Sequence, residues 1–368
     1  MQAMLTRFRQ DLHRIPELDA DLPKTLAYIK DALAPLNYAI IEPAPGALCA
    51  FLDNGKGRAI AFRADMDALP IQEESQTPYC SLHPGKMHAC GHDGHTAMVL
   101  ALAHVLASRQ ESLPWDILLI FQPAEETTGG AEPIVDSGIL DAYKVERIFA
   151  CHVWPGVPAG QIYTRPGPIM ARSSEVTVDI QGTSAHIARP QEGADALFAG
   201  AAFIQQAYQL IAQLPPQGEA RLLGFGRMES GQARNAVSDH THLEGSLRIF
   251  SDTIYQQAKA GLQRLGDAIG AQTGCSFSIH LSAGFPPLCN DPALFAQVQA
   301  ALGNTLHILP QPNMTAEDFS FFAQARPSLF FLLGVGEKAA PLHSAAFDFD
   351  SSILLSGLRL YEQLALLP

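Results

Sequence analysis

The 368 residues are 47% hydrophobic and 17% charged, enough apolar material for one large core or two ordinary ones. Against 37 acidic residues stand 24 basic ones, a formal charge of −13, which repels a phosphate backbone and an anionic membrane face alike. No apolar run reaches the roughly 18 residues of a membrane helix, so neither nucleic acid nor a membrane is an expected partner. The N-terminal stretch mixes Arg7, Arg9, Asp11, His13 and Glu17 with apolar residues and does not read as a secretory signal. Six scattered cysteines without a C-x-x-C pair suit a reducing compartment. Cytoplasmic localisation is the expectation.

In chain order, helical stretches first alternate with short apolar runs that end in polar clusters, as in a buried, largely parallel sheet. Strands are predicted at 58–62, 116–122 and 147–152, with a buried helix over 95–108. Near Ser173 the rhythm changes. Val176, Val178 and Ile180 alternate with polar residues, a helix follows over 195–213, strands over 221–228 and 242–250, a helix over 252–272 and a strand over 276–281. That β-α-β-β-α-β order is the ferredoxin-like unit, of a size that can be inserted in a larger domain. The α/β character then returns with a strand at 329–333 and a closing helix near 354–366. The expected architecture is an α/β catalytic domain in two parts, 1–172 and 285–368, with an inserted α+β domain over 173–284.

Chemistry-bearing residues gather where the predicted strands end. Arg63, Asp65 and Asp67 follow the first strand, Glu125 and Glu126 the second, and His152 closes the third. Ligands bind beyond the carboxyl ends of strands in open α/β sheets. His83, His88, His92 and His95 fall within thirteen residues, around Cys90 and two glycines. Imidazole, thiolate and carboxylate together suit zinc, manganese, cobalt or nickel better than calcium or magnesium. More than four candidate ligands suggests two ions, able to lower the pKa of water from about 15.7 towards about 7. Of the adjacent Glu125 and Glu126, one can ligate while the other takes a proton. No G-x-S-x-G elbow and no phosphate-binding glycine loop is present.

The segments FRADMDALP (62–70), MHACGHDGHT (87–96), FQPAEE (121–126), CHVWP (151–155), MTAEDFSFF (314–322) and LHS (342–344), preceded by His13-Arg-Ile-Pro16-Glu17, resemble the aminoacylase/carboxypeptidase-type metallopeptidases. The match is to their amidohydrolase branch, which includes hippurate hydrolases, indoleacetyl-amino-acid hydrolases and N-acetyldiaminopimelate and other N-acyl-amino-acid deacetylases. The resemblance implies metal ligands at Cys90, His92, Glu126, His152 and His343 for two divalent ions. It places the general acid/base at Glu125 and an acidic residue that orients the site at Asp65. It further implies that the inserted domain is a lid and dimerisation domain. There His186 would stabilise the oxyanion, and Asn235 and Arg248 would hold a substrate carboxylate, a task suited to a bidentate donor. The lid stretch departs from the branch in having Thr183-Ser184 for a glycine region and Gln191 for a histidine, which bears on substrate preference.

Simpler roles compete at several positions. Cys49, Cys80, Cys275 and Cys289 read as small buried hydrophobes. Arg248 could pair with Glu244, Asn235 could be a turn residue, Asp67 could bond only its own loop, and Asp318 could cap a nearby helix. The function expected is a metal-dependent amidohydrolase that cleaves small-molecule N-acyl amino acids and forms a homodimer through the lid. The alternatives are a dipeptidase or carboxypeptidase on the same binuclear site, and a non-catalytic metal-binding protein.

Overall fold

Strands apolar along their whole length leave no face for water, so they must lie between helical layers. In the computed structural model, which describes residues 1–216 and 218–368, Ala59–Asp65 and Asp116–Gln122 are buried at every residue. They pair in parallel within an eight-stranded sheet. Its order is Ala39–Ile41, Leu48–Leu52, Asp116–Gln122, Ala59–Asp65, Val145–Pro155, Ser328–Gly336, Ile162–Thr164 and Leu306–Ile308. The four central strands run parallel, and antiparallel pairs occur only towards the edges. This is the largely parallel α/β architecture the sequence leads one to expect.

The helix His92–Ala107 packs on the sheet and against the helices Gln2–His13 and Leu354–Leu366. It is buried on all sides from His92 to Ala103, which explains why its sequence shows no polar stripe. It starts earlier than the apolar pattern predicts, because Gly91 takes a left-handed φ of 85° and turns the chain directly into helix at His92. The Ala59–Asp65 strand likewise continues past its predicted end, so Arg63 and Asp65 are strand residues on one face rather than loop residues. His152 lies within Val145–Pro155 instead of closing it.

The chain divides into two compact units. The first comprises Met1–Ile169, Cys289–Gln311 and Asp318–Pro368, and the second Met170–Leu288 with Pro312–Glu317. The second unit holds a four-stranded antiparallel sheet ordered Ser276–Leu281, Arg172–Gln181, His240–Ile249, Leu222–Ser230. The helices Ala196–Gln213 and Asp252–Thr273 pack on it. Val176, Val178, Ile180, Leu243 and Leu247 form one apolar sheet face against Phe203 and Leu262, each large side chain contributing about 1.5–3 kcal/mol of burial. Asp195 and Ser251 start the two helices by accepting the Phe198 and Ile254 N–H groups. The return of Pro312–Glu317 to this unit, through Thr315 O accepting the Ala171 N–H at 2.9 Å, has no counterpart in the sequence pattern.

Candidate metal centre

At the carboxyl ends of the central strands the first unit gathers Cys90, His92, Glu126, His152 and His343. One nitrogen of each buried imidazole is committed to backbone. His92 Nδ1 donates to the Asp67 carbonyl at 2.8 Å and His152 Nδ1 to the Val153 carbonyl at 2.6 Å. That leaves both Nε2 atoms for the site. His152 Nε2 is 3.4 Å from Cys90 Sγ. His92 Nε2 lies 3.8 Å, and His343 Nε2 3.2 Å, from Glu126 Oε1. His92 Nε2 and Glu126 Oε1 are buried with no hydrogen-bond partner, an arrangement that costs about 1–3 kcal/mol per atom unless a cation is shared. The donor atoms of Cys90, His92 and Glu126 all lie within 4.8 Å of one another. Nitrogen, thiolate and carboxylate donors at this spacing fit a borderline divalent ion.

His95 is also in the cluster, with Asp65, His92 and His152, but it cannot ligate. Its Nδ1 donates to Asp65 Oδ1 at 2.5 Å and its Nε2 accepts the Val153 N–H at 2.8 Å, so both nitrogens are spent. Asp65 is held from its other side by Arg63 Nη1 at 2.6 Å. Burial would raise the Asp65 carboxyl, but the neighbouring His92 and His95 imidazoles and the Arg63 guanidinium outweigh it and hold it well below the usual carboxylate range. The Cys90 thiol is pushed up by burial and then by Glu126, Glu125 and Asp65. Its thiolate therefore needs a neighbouring cation. His88 is fully buried with neither nitrogen partnered, and burial pushes its pKa down to about 3.

Two non-glycine residues adopt left-handed backbone here: Ala124 with φ 57° and His343 with φ 64°. Such conformations cost on the order of 1–3 kcal/mol and persist when their surroundings fix them. The His343 N–H donates to the Ala89 carbonyl at 2.9 Å, tying two segments that carry candidate donors together. After Ala124, the N–H groups of Glu125 and Glu126 donate to Asp67 Oδ1 and Oδ2 at 3.1 and 3.0 Å. One carboxylate thus sets the direction of both glutamates. Glu126 turns to His92 and His343, whereas Glu125 lies with a carboxylate oxygen within 4.8 Å of Asp318. Asp67 therefore bonds well beyond its own loop. Asp318 caps no helix of its own segment. Its carboxylate accepts from Arg63 Nη2 at 2.8 Å, from Gln122 Nε2 at 2.7 and 2.8 Å, and from the Ala131 N–H at 3.0 Å, all in the buried interior. The sequence offers Asp67 only a bond within its own loop and Asp318 only a helix cap, and gives His95 no role; the further signal for all three is their place inside the motifs that supply the candidate donors.

His186, Asn235 and Arg248 belong to the second unit. His186 and Asn235 share a loop pair in which the Ile187 N–H donates to the Asn235 carbonyl at 3.0 Å, and both side chains are exposed. Arg248 is half-buried on the strand His240–Ile249. It makes no ion pair among the described residues, since Glu244 pairs instead with Arg227 and His242. No disulfide joins the six cysteines among the described residues, and Cys49, Cys151 and Cys275 are buried. No helix among those residues is long and apolar enough to cross a membrane.

Residues 61–367 match the model of peptidase family M20/M25/M40. An N-acetyldiaminopimelate deacetylase from Oceanobacillus iheyensis is 33% identical over 354 residues, covering 95% of each chain. An N-acetyl-L-cysteine deacetylase from Bacillus subtilis is 33% identical over 367 residues, 98% of this chain and 88% of that one. A solved dinuclear metal-binding peptidase of the M20 family, also from Bacillus subtilis, superposes with a TM-score of 0.87 at 28% identity, covering 99% of this chain and 97% of the other. The chain belongs to peptidase family M20/M25/M40, and it is a hydrolase.

Proposed function

We propose that this hydrolase cleaves the amide bond of N-acyl amino acids, releasing a carboxylate and a free amino acid. The observation that carries the reading is the donor set of Cys90, His92, Glu126, His152 and His343, two of whose buried atoms have no hydrogen-bond partner among the described residues, beside a second glutamate held by Asp67. The deacetylase names of two relatives over nearly the whole chain support the substrate class. Two divalent ions drawn from zinc, manganese, cobalt or nickel would be held by the five ligands, and when bound they acidify water and polarise a carbonyl. Glu125 takes the proton of the attacking water and returns it to the leaving nitrogen. Asp65, fixed by Arg63 and His95, orients the ligand cluster.

Within the same proposal, His186 stabilises the oxyanion, and Asn235 and Arg248 bind the carboxylate of the amino-acid half. The guanidinium of Arg248, without an ion pair among the described residues, suits that task. The second unit serves as lid and as the contact of a homodimer working in the cytoplasm.

The test is amine release from N-acetyl, N-benzoyl and indoleacetyl amino acids and from free dipeptides, using protein reconstituted with each of the four metals. Glu125→Gln should retain its metal and lose about 10²–10⁴-fold in kcat. Full activity in that variant would remove Glu125 as the base, and preference for dipeptides would move the enzyme to peptidase chemistry.

A further inference from the structure

The helix Gln2–His13 lies outside the residues matched by the family model, yet it sends two buried cations towards the ligand segments. Arg9 and His13 stand four positions apart on one helix face. Each is about 1% exposed. Arg9 Nε donates to Asp93 Oδ2 at 3.2 Å, and Asp93 directly follows the ligand His92. The other end of the same guanidinium donates to the Phe349 carbonyl, to Asp348 and, at 3.2 Å, to Ser351 Oγ. That stretch is the continuation of the segment bearing His343. The guanidinium also stacks over the Phe349 ring at 3.6 Å, and that ring is packed so closely on the ligand helix that a Cβ on Gly94 would come within 2.8 Å of it.

His13 completes the joint. Its Nδ1 donates to Asp93 Oδ2 at 2.8 Å and its Nε2 lies 3.3 Å from Glu73 Oε1. The Glu73 carboxylate in turn accepts the Ser81 N–H at 2.6 Å. The neighbouring Glu74 N–H donates to the Ala345 carbonyl at 2.9 Å, and Tyr79 Oη donates to Asp348 Oδ2 at 2.8 Å. Three loops therefore meet on two cations. One follows Asp65 and Asp67, one carries Cys90 and His92, and one carries His343.

We propose that Arg9 and His13 are a positioning pair that fixes the Cys90–His92 segment against the His343 segment, so that their donors are spaced for a metal ion before one binds. Neither touches the donors themselves; Arg9 acts through Asp93 and Asp348, and His13 through Asp93 and Glu73. His343 has most need of such support, because its side chain is half exposed and its backbone is held in the left-handed region. A planar fork that serves two segments at once is a task for arginine rather than lysine. The inference rests on the metal-centre reading above.

The experiment uses the full chain stripped by chelator and titrated with Co²⁺, which reports both affinity and ligand geometry through its visible absorption. Arg9→Met and Asp348→Asn are compared with wild type and with Val298→Ala, a core change on the helix Pro292–Leu302 that lowers stability without touching these loops. The expected result is at least tenfold weaker Co²⁺ binding and an altered spectrum in Arg9→Met and Asp348→Asn, with Val298→Ala at the wild-type value. Wild-type affinity and spectrum in both loop variants would overturn the proposal. Should Arg9→Met fail to fold, Asp348→Asn decides alone, because its carboxylate is partly exposed and its loss weakens only the ties of the His343 segment to Arg9 and Tyr79. Failure of the wild-type protein to bind Co²⁺ would overturn the metal-centre reading itself, a result distinct from the first.

Discussion

A single carboxylate, that of Asp67, controls where two adjacent glutamates point, since its two oxygens accept the successive N–H groups of Glu125 and Glu126. Its carbonyl meanwhile fixes the ring of His92. Asp67→Ala leaves two buried N–H groups without an acceptor and frees the loop to turn. Partners that orient metal ligands typically contribute 10–100-fold to affinity or activity. A fall of that size in kcat, together with weaker metal retention, is the expected outcome, measured by steady-state kinetics and metal analysis of dialysed protein. An unchanged kcat would show that the loop is held by Ala124 and its neighbours alone. The candidate donors were legible in the sequence because imidazoles, a thiol and paired glutamates stand at strand ends where no structural role explains them. Asp67, His95 and Asp318 were not. Their work depends on which backbone groups and side chains face them across the fold, as when His95 spends both nitrogens on Asp65 and the Val153 N–H.

Among the elements, the strands and helices were legible wherever burial imposes a simple period. The alternating strand Arg172–Gln181 and the wholly buried strand Asp116–Gln122 are two such cases. Element ends were harder to place, because Gly91 and the charged Arg63 and Asp65 look like loop residues until their partners are known. The helix Gln2–His13 shows the same limit from the functional side. Its apolar residues announce a packed face, whereas the destinations of Arg9 and His13 lie some 60 to 340 positions away in sequence. Burial disfavours the charged form of His13, but Asp93 and the hydrogen bonds to Asp93 and Glu73 outweigh it, against a smaller opposing effect of Arg9, and raise its pKa to about 9. Tyr79 and His88 are its other ring neighbours. A folded pKa above the unfolded value of about 6.5 means stability fully present below pH 6.5 and lost as the pH rises through about 9, amounting to about 3 kcal/mol. Denaturant unfolding of wild type and His13→Asn should therefore show a gap that is wide at pH 6 and narrows by pH 9.5. A gap constant over that range would mean that His13 contributes by packing and not by charge.

For the molecule as a whole, every proposed metal donor lies in the first unit and none in the second. A ligand that binds only the native state stabilises by about 2.7 kcal/mol at 100 times its Kd, which for a unit of this size raises the midpoint by roughly 5–10 °C. The chain carries an optical reporter confined to that unit, because both of its tryptophans, Trp115 and Trp154, fall within Met1–Ile169. Trp115 is buried at the sheet, stacked by Arg58 at 4.0 Å and Arg147 at 4.9 Å and donating to the Leu367 carbonyl at 2.6 Å. Trp154 lies two residues from the proposed ligand His152, with ring centres 5.7 Å apart. Unfolding followed by tryptophan fluorescence should therefore move upward on adding metal and back on adding chelator. Amide exchange in the strands Arg172–Gln181 and His240–Ile249, which report the second unit, should stay as it was. Equal metal protection of those strands would mean that the two units unfold as one cooperative body, and no shift in either would remove the metal from the first unit.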